Sequence, residues 1–199
     1  MTRFASKRNN VYLKDSIVYK EFCNQEAAKV EEDILVTLRQ AQTRVPKVIQ
    51  RQNNILQLEY IEGITIPDFL VTTSSLKDCD SIASSIIRWL IDFYRAVNNP
   101  LTNEIRGDIN GRNFIISKDG IYGVDFEERI YGTIERDIGR LLAYVSTYRV
   151  KNYALRKRLT EDLFRYANEL LPVEADLLLE EMDKEKLSMK LRRQKRLNL

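Results

Sequence analysis

Hydrophobic and polar positions alternate with a period of two over residues 10–22, NVYLKDSIVYKEF. Val11 and Leu13 take polar partners, Lys14-Asp15-Ser16 supplies a turn, and Ile17-Val18-Tyr19-Lys20 resumes a β-branched and aromatic run. That pattern predicts two strands. From about Asn24 the period lengthens. Ala27, Val30, Ile34, Leu35, Leu38 and Ala41 recur at three and four, predicting an amphipathic helix that must stop before Pro46. Val48-Ile49 and residues 55–61 predict two more strands, divided by the polar turn Arg51-Gln52-Asn53-Asn54 and closed by Gly63. The expected first part is therefore a small, mainly antiparallel sheet carrying one helix and ending near Ile61.

Helical periods dominate the remainder. A short piece over 66–71 precedes the clearest helix, 81–98, in which Ile82, Ile86, Leu90, Phe93 and Val97 mark one face and Asn98-Asn99-Pro100 supply the stop. Trp89 and Tyr94 widen that face and are expected to pack in the core. Residues 114–117 and 121–124 read as strands around the hairpin signal Lys118-Asp119-Gly120. Further helices are expected over 134–148, 154–171 and from Val173 towards the end. The division this predicts is residues 1–61 against a mainly helical 62–199.

Composition changes the picture mainly by what it excludes. The 199 residues contain no histidine, which removes His-based acid–base catalysis, Ser-His-Asp triads and His metal sites. Any metal must then be a hard cation held by oxygen. Cys23 and Cys79 form no C-x-x-C pattern, as expected of reduced thiols in the cytoplasm. The opening MTRFASKRNN carries no apolar signal core, and no stretch reaches membrane-spanning length. Net charge is only +3 but is unevenly placed. Residues 147–160 hold five basic side chains and no acidic one; residues 161–183 hold eight acidic against one basic; residues 184–199 hold seven basic against one acidic. The acidic set could attract a cationic acceptor or simply form a solvated helical surface. The basic tail (Lys186, Lys190, Arg192, Arg193, Lys195, Arg196) could meet RNA or another anionic partner, or be a screened surface.

Candidate chemistry concentrates in residues 106–127, RGDINGRNFIISKDGIYGVDFE. Asp108 and Asn113 lie five apart before the predicted hairpin, and Asp125 follows it. Aspartates at strand ends are often turn formers. Carboxylates bracketing both ends of one hairpin instead offer one proton acceptor and two oxygen ligands for a divalent cation.

With Arg106-Gly107-Asp108…Asn113 and Asp125-Phe126-Glu127, the chain resembles the protein-kinase-like fold, in the branch of aminoglycoside phosphotransferases, choline kinases and RIO-type kinases. The resemblance implies an α+β, two-lobed fold with a β-sheet N-lobe and a helical C-lobe. It implies Mg²⁺-dependent transfer of the ATP γ-phosphoryl group to a hydroxyl of a small molecule or protein. By this resemblance Asp108 accepts the hydroxyl proton, while Asn113 and Asp125 hold Mg²⁺ against the ATP phosphates. Val18-Tyr19-Lys20 resembles the strand carrying the phosphate-binding lysine, and its helix partner would be Glu31, with Glu26 and Glu32 as alternatives. Leu58-Glu59-Tyr60-Ile61-Glu62-Gly63 resembles the inter-lobe hinge, where the Glu59 carbonyl and Ile61 amide would pair with adenine. Asp137 would tie a helix start to the catalytic loop.

Three departures qualify the pattern. Arg106 stands where the family usually has a bracing histidine, and Glu127 stands in the glycine position of the metal loop. No glycine-rich loop precedes Lys20, so the phosphates would face Ser6-Lys7-Arg8-Asn9-Asn10. A catalytically weak nucleotide sensor, or an adaptor for RNA or protein, is accordingly the alternative function. Only seven residues separate Glu127 from Glu135, too few for an activation segment.

Overall fold

A computed structural model of the chain describes residues 2–4, 8–73, 75–98, 103–127 and 130–197. Ser6 and Lys7, expected to face phosphates, and Asn99 and Pro100, expected to end a helix, lie outside them, as does the side chain of Arg196.

An antiparallel sheet of five strands forms first: β1 (Thr2–Phe4), β2 (Asn10–Lys14), β3 (Ile17–Glu21), β4 (Val48–Gln52) and β5 (Ile55–Glu59), in the order β1-β2-β3-β5-β4. The β2–β3 turn places Asp15 and Ser16 at positive φ (49° and 61°), a conformation aspartate tolerates better than most residues. The central pairing sets Lys20 opposite both Val11 and Leu56, which fixes the face its side chain takes. Helix α1 (Gln25–Gln40) starts at Asn24, whose side chain accepts the Ala27 amide at 2.9 Å. Its buried stripe is Ala28, Glu31, Ile34, Leu35 and Leu38. A carboxylate therefore sits within an otherwise apolar face, and it needs a charged partner.

The helical part holds α2 (Ile66–Thr72), α3 (Lys77–Val97), α4 (Ile134–Thr147), α5 (Tyr153–Leu170) and α6 (Ala175–Leu197). Two small ladders flank residues 106–127. One comprises β6 (Ile64–Thr65), β8 (Phe114–Ser117) and β9 (Gly120–Gly123); the other pairs β7 (Glu104–Ile105) with β10 (Ile130–Tyr131). Trp89 on α3 joins the two parts of the chain. Its indole N–H donates to the Arg44 carbonyl at 2.7 Å, and its ring meets Phe114 edge-on with centroids 5.4 Å apart. A Cβ on Gly123 would lie 2.1 Å from this indole, so β9 can cross here only as glycine.

Several expectations on the elements need correction. The strand expected over 55–61 ends at Glu59, because the chain leaves the sheet to run towards β6. Helix α3 begins four residues before 81, at Lys77, with Cys79 already buried in its first turn. β1, β6, β7 and β10 have two or three residues each, too short to produce a period in the sequence. Among the described residues no helix is long and apolar enough to cross a membrane.

Candidate active site

The catalytic region is built by folding two loops onto the start of α4. Thr133 caps α4, and Asp137 in its first turn is fully buried. One carboxylate oxygen of Asp137 accepts the Arg106 amide at 2.5 Å and the Tyr94 hydroxyl at 3.1 Å, and the other accepts the Gly107 amide at 2.9 Å. Burial pushes this carboxyl up, against the pull of the two amides and the phenol. Gly107 adopts φ +71°, and a Cβ there would lie 2.3 Å from Ile130 on β10. Asp108, the next residue, is thereby turned outward and exposed while its neighbours on both sides are buried.

Replacing Asp137 by alanine is expected to destabilise the fold by about 3 kcal/mol, since three donors lose their acceptor in a dry setting. Urea unfolding of Asp137→Ala measures the loss, and Tyr94→Phe, which deletes one of the three donors, is expected to lose about 1 kcal/mol.

Arg106 occupies the bracing position. Its guanidinium donates to the Val124 carbonyl and stacks over the Phe126 ring at 4.1 Å, while Phe93 packs against the same ring. Burial lowers the affinity of this guanidinium for its proton, and Asp125 and Asp108 pull the other way. The Nε atom of Arg106 is buried without a partner among the described residues. The two loops are stitched further by the Val124 amide on the Asn113 carbonyl, at 2.9 Å. Asn113 is buried, and its amide nitrogen donates to the Asp108 carbonyl at 3.0 Å. That bond sets the direction of the side chain. Asp125 adopts φ +69°, a left-handed backbone seen in non-glycine residues mainly at such functional turns.

Lys20 reaches these loops from the sheet. Its ammonium lies 2.6 Å from Glu31, 2.5 Å from Asp125 and 3.2 Å from Glu127. Burial alone would lower its pKa, but Glu31 and Asp125 outweigh it and hold the lysine protonated above its ordinary range. Burial pushes the Glu31 carboxyl up against the attraction of Lys20. Burial would also raise Asp125, yet the Lys20 ammonium draws it below the usual carboxylate value. Of the three helix carboxylates, Glu31 alone meets Lys20; Glu26 is exposed and Glu32 pairs with Arg51 at 2.5 Å.

Glu127 is the residue the sequence reading missed. The sequence places it in the glycine position of the Asp125-Phe126-Glu127 loop, without naming it among the candidate ligands. Oxygens of Glu31, Asp125 and Glu127 lie within 4.8 Å of one another. The Asn9 side chain donates to Glu127, and Arg8 approaches it to 4.0 Å, so the turn before β2 touches the metal loop. The donor set is all oxygen and its carboxylates now share the charge of Lys20, which suits a hard divalent cation. Glu59 ends β5 with its carboxylate on the Lys47 amide at 3.0 Å, and Ile61 is buried in the segment that follows.

This fold is that of aminoglycoside phosphotransferases. The chain superimposes on the ADP-bound aminoglycoside phosphotransferase APH(2'')-Ib with a TM-score of 0.64 at 12% identity, covering 94% of this chain and 81% of that one. The streptomycin–ATP complex of APH(2'')-IIa gives 0.62 at 15% identity and its gentamicin complex 0.60 at 14%, each covering 94% of this chain and 80% of that one. Residues 4–158 match the sequence model of the RIO domain, and the chain belongs to that family. No curated protein sequence matches it. The solved neighbours carry nucleotides and aminoglycosides and lend no support to RNA at the basic tail.

Proposed function

We propose that the chain is a phosphotransferase that moves the γ-phosphoryl group of ATP to a hydroxyl of a small molecule or protein with Mg²⁺ bound. The observation carrying this reading is the convergence of Lys20, Glu31, Asp125 and Glu127 beside a catalytic loop that turns Asp108 outward. Lys20 would carry the α- and β-phosphates, with Glu31 holding its ammonium in place. Asn113 and Asp125, joined by Glu127, would hold Mg²⁺, which when bound neutralises charge on the phosphates. Asp108 would orient the acceptor hydroxyl and take its proton. The backbone of Glu59 and Ile61 would meet adenine, with the division between lobes near Ile61. Such chemistry is positioning and electrostatics, and it needs no covalent intermediate. Work in the cytoplasm, where ATP and Mg²⁺ are supplied, belongs to the same proposal.

A second reading, a nucleotide sensor with little turnover, is favoured by the glycine-free approach to Lys20. There Asn9 and Arg8 engage Glu127 where a glycine loop would wrap phosphates. Thermal unfolding with ATP, with and without Mg²⁺, tests the binding shared by both readings. We expect Mg²⁺ to enlarge the stabilisation by ATP in the wild type and to add little in Asp125→Asn. At saturating ligand the wild-type gain should be about 3 kcal/mol. Failure of ATP to stabilise the fold in either condition would contradict both readings.

A further inference from the structure

Arginines lie in or against the loop that carries Asp108: Arg112 within it, Arg140 on its Gly107 carbonyl, and Arg192 behind Arg140 through Glu185. Arg112 lies four residues after Asp108 in the same loop; it is exposed, and its guanidinium makes no hydrogen bond or ion pair among the described residues. Arg140 on α4 donates to the Gly107 carbonyl at 3.2 Å, one residue before Asp108. Arg140 also lies 3.5 Å from Glu185 on α6, and the other oxygen of Glu185 binds Arg192 at 2.6 Å. Glu185 is buried, so this bridge fixes the basic half of α6 against α4.

A basic block follows α4. Its first neighbour, Tyr148, holds the catalytic loop from outside: the hydroxyl donates to Asn110 at 2.8 Å and accepts the Gly111 amide at 3.0 Å. Arg156 donates to the Tyr148 carbonyl at 2.7 Å, and the exposed Arg149 and Lys151 come next in the chain. The neighbourhood is shared. Burial raises the Tyr144 phenol, and Glu185, Asp108, Arg192 and Arg140 all act on it.

The acidic stretch does not offset this charge. Asp162 is buried between Arg158 and Arg165 at 2.7 and 3.0 Å, on the side of α5 that meets Asp80 of α3. Glu161 pairs with Lys157, Glu169 with Arg165, Glu180 and Glu181 with Lys184, and Asp183 with Lys186. Most of the acidic set is tied to local cations, with Arg165 and Lys184 each shared by more than one carboxylate, while Glu174 and Asp176 make no ion pair among the described residues. Guanidinium groups around a cleft raise the local concentration of anions and fit phosphate oxygens in pairs.

We infer that the acceptor is a small hydroxyl compound that already carries a phosphate group, which Arg112 engages beside Asp108. This rests on the phosphotransferase reading above. Helix α6 lies along α4, with Glu181 against Gly139 and Glu185 on the Arg140 that holds the Gly107 carbonyl. In the transfer, the acceptor oxygen gives its proton to Asp108 and forms a new bond to the γ-phosphorus. The bond from that phosphorus to the β-phosphate oxygen breaks, and ADP leaves with the electron pair.

The test follows ADP formation from ATP and Mg²⁺ with ribose 5-phosphate and glycerol 3-phosphate against ribose, glycerol, kanamycin and a short RNA. We expect at least one sugar phosphate to exceed its neutral parent by about ten-fold or more in kcat/KM. Arg112→Glu should erase that preference chiefly through KM, and Arg112→Lys should recover part of it. Both variants should melt with the wild type, because Arg112 is exposed. Equal use of each phosphate and its parent, preference for kanamycin, or a response confined to RNA overturns the inference and leaves phosphoryl transfer standing. Absence of any ADP formation, together with absence of stabilisation by ATP, overturns the parent reading instead.

Discussion

Lys20→Met is expected to lower stability by about 3 kcal/mol at neutral pH. Among the described residues the lysine is the one ammonium beside Glu31, Asp125 and Glu127, and removing it leaves a buried carboxylate facing two others. The part that falls on Asp125 is discounted, because that side chain is 40% exposed and solvent screens it. The loss should depend on pH in a definite direction. Burial already raises Glu31, and without Lys20 only the hydrogen bond from the Phe126 backbone opposes that. A raised carboxyl contributes stability that is fully present below its unfolded pKa and lost as pH rises through the folded value. In the wild type, Asp125 is drawn down by Lys20, so its contribution is present above the unfolded pKa and lost as pH falls through the folded one. The gap between wild type and variant should therefore narrow on acidification from pH 7 towards pH 4. Urea midpoints across that range measure it, and a gap that widens in acid would show that the cluster is not organised around Lys20.

Asp108→Asn should reduce turnover by about a thousand-fold, the size expected when a positioned base is replaced by an isosteric amide. Asp108 is exposed and its backbone carries the loop bonds, so stability should move by less than about 0.5 kcal/mol. Binding of ATP, read by thermal stabilisation, should persist. Turnover that survives this change would move the base to another residue, and turnover lost together with ATP binding would mean that the loop itself had collapsed.

The large elements were legible because their apolar spacing is long and regular. The Ile34, Leu35 and Leu38 part of the α1 stripe and the Ile82-to-Tyr94 face of α3 are buried, whereas Ala27 and Val30 are half-buried and Ala41 is exposed, because the buried face turns through Ala28 and Glu31. Asp108 and Asp125 stood out by bracketing one hairpin, whereas Glu31 stood beside Glu26 and Glu32 until the fold set it against Lys20. What could not be read depends on contacts between distant positions. The β7–β10 ladder pairs Ile105 with Ile130 over two residues a side, which leaves no periodic trace. Arg106 was expected to brace its loop, yet its seat on Phe126 follows from the packing of Phe93 and Trp89 beneath that ring. The role of Glu185 was hidden among the charges of α6, since only the fold shows that it faces Arg140 across the helix pair. Glu127 was visible as the end of Asp125-Phe126-Glu127, and only the fold shows that its carboxylate reaches Lys20.

The most direct test of phosphoryl transfer at this site uses the wild-type chain and ATP labelled on its γ-phosphate. Incubated with Mg²⁺ and the acceptor panel above, the label should leave ATP and appear on an acceptor hydroxyl, and it should stay on ATP when the metal is chelated. Label that remains on ATP with Mg²⁺ present, while ATP still stabilises the fold, would contradict the account and make the chain a nucleotide sensor.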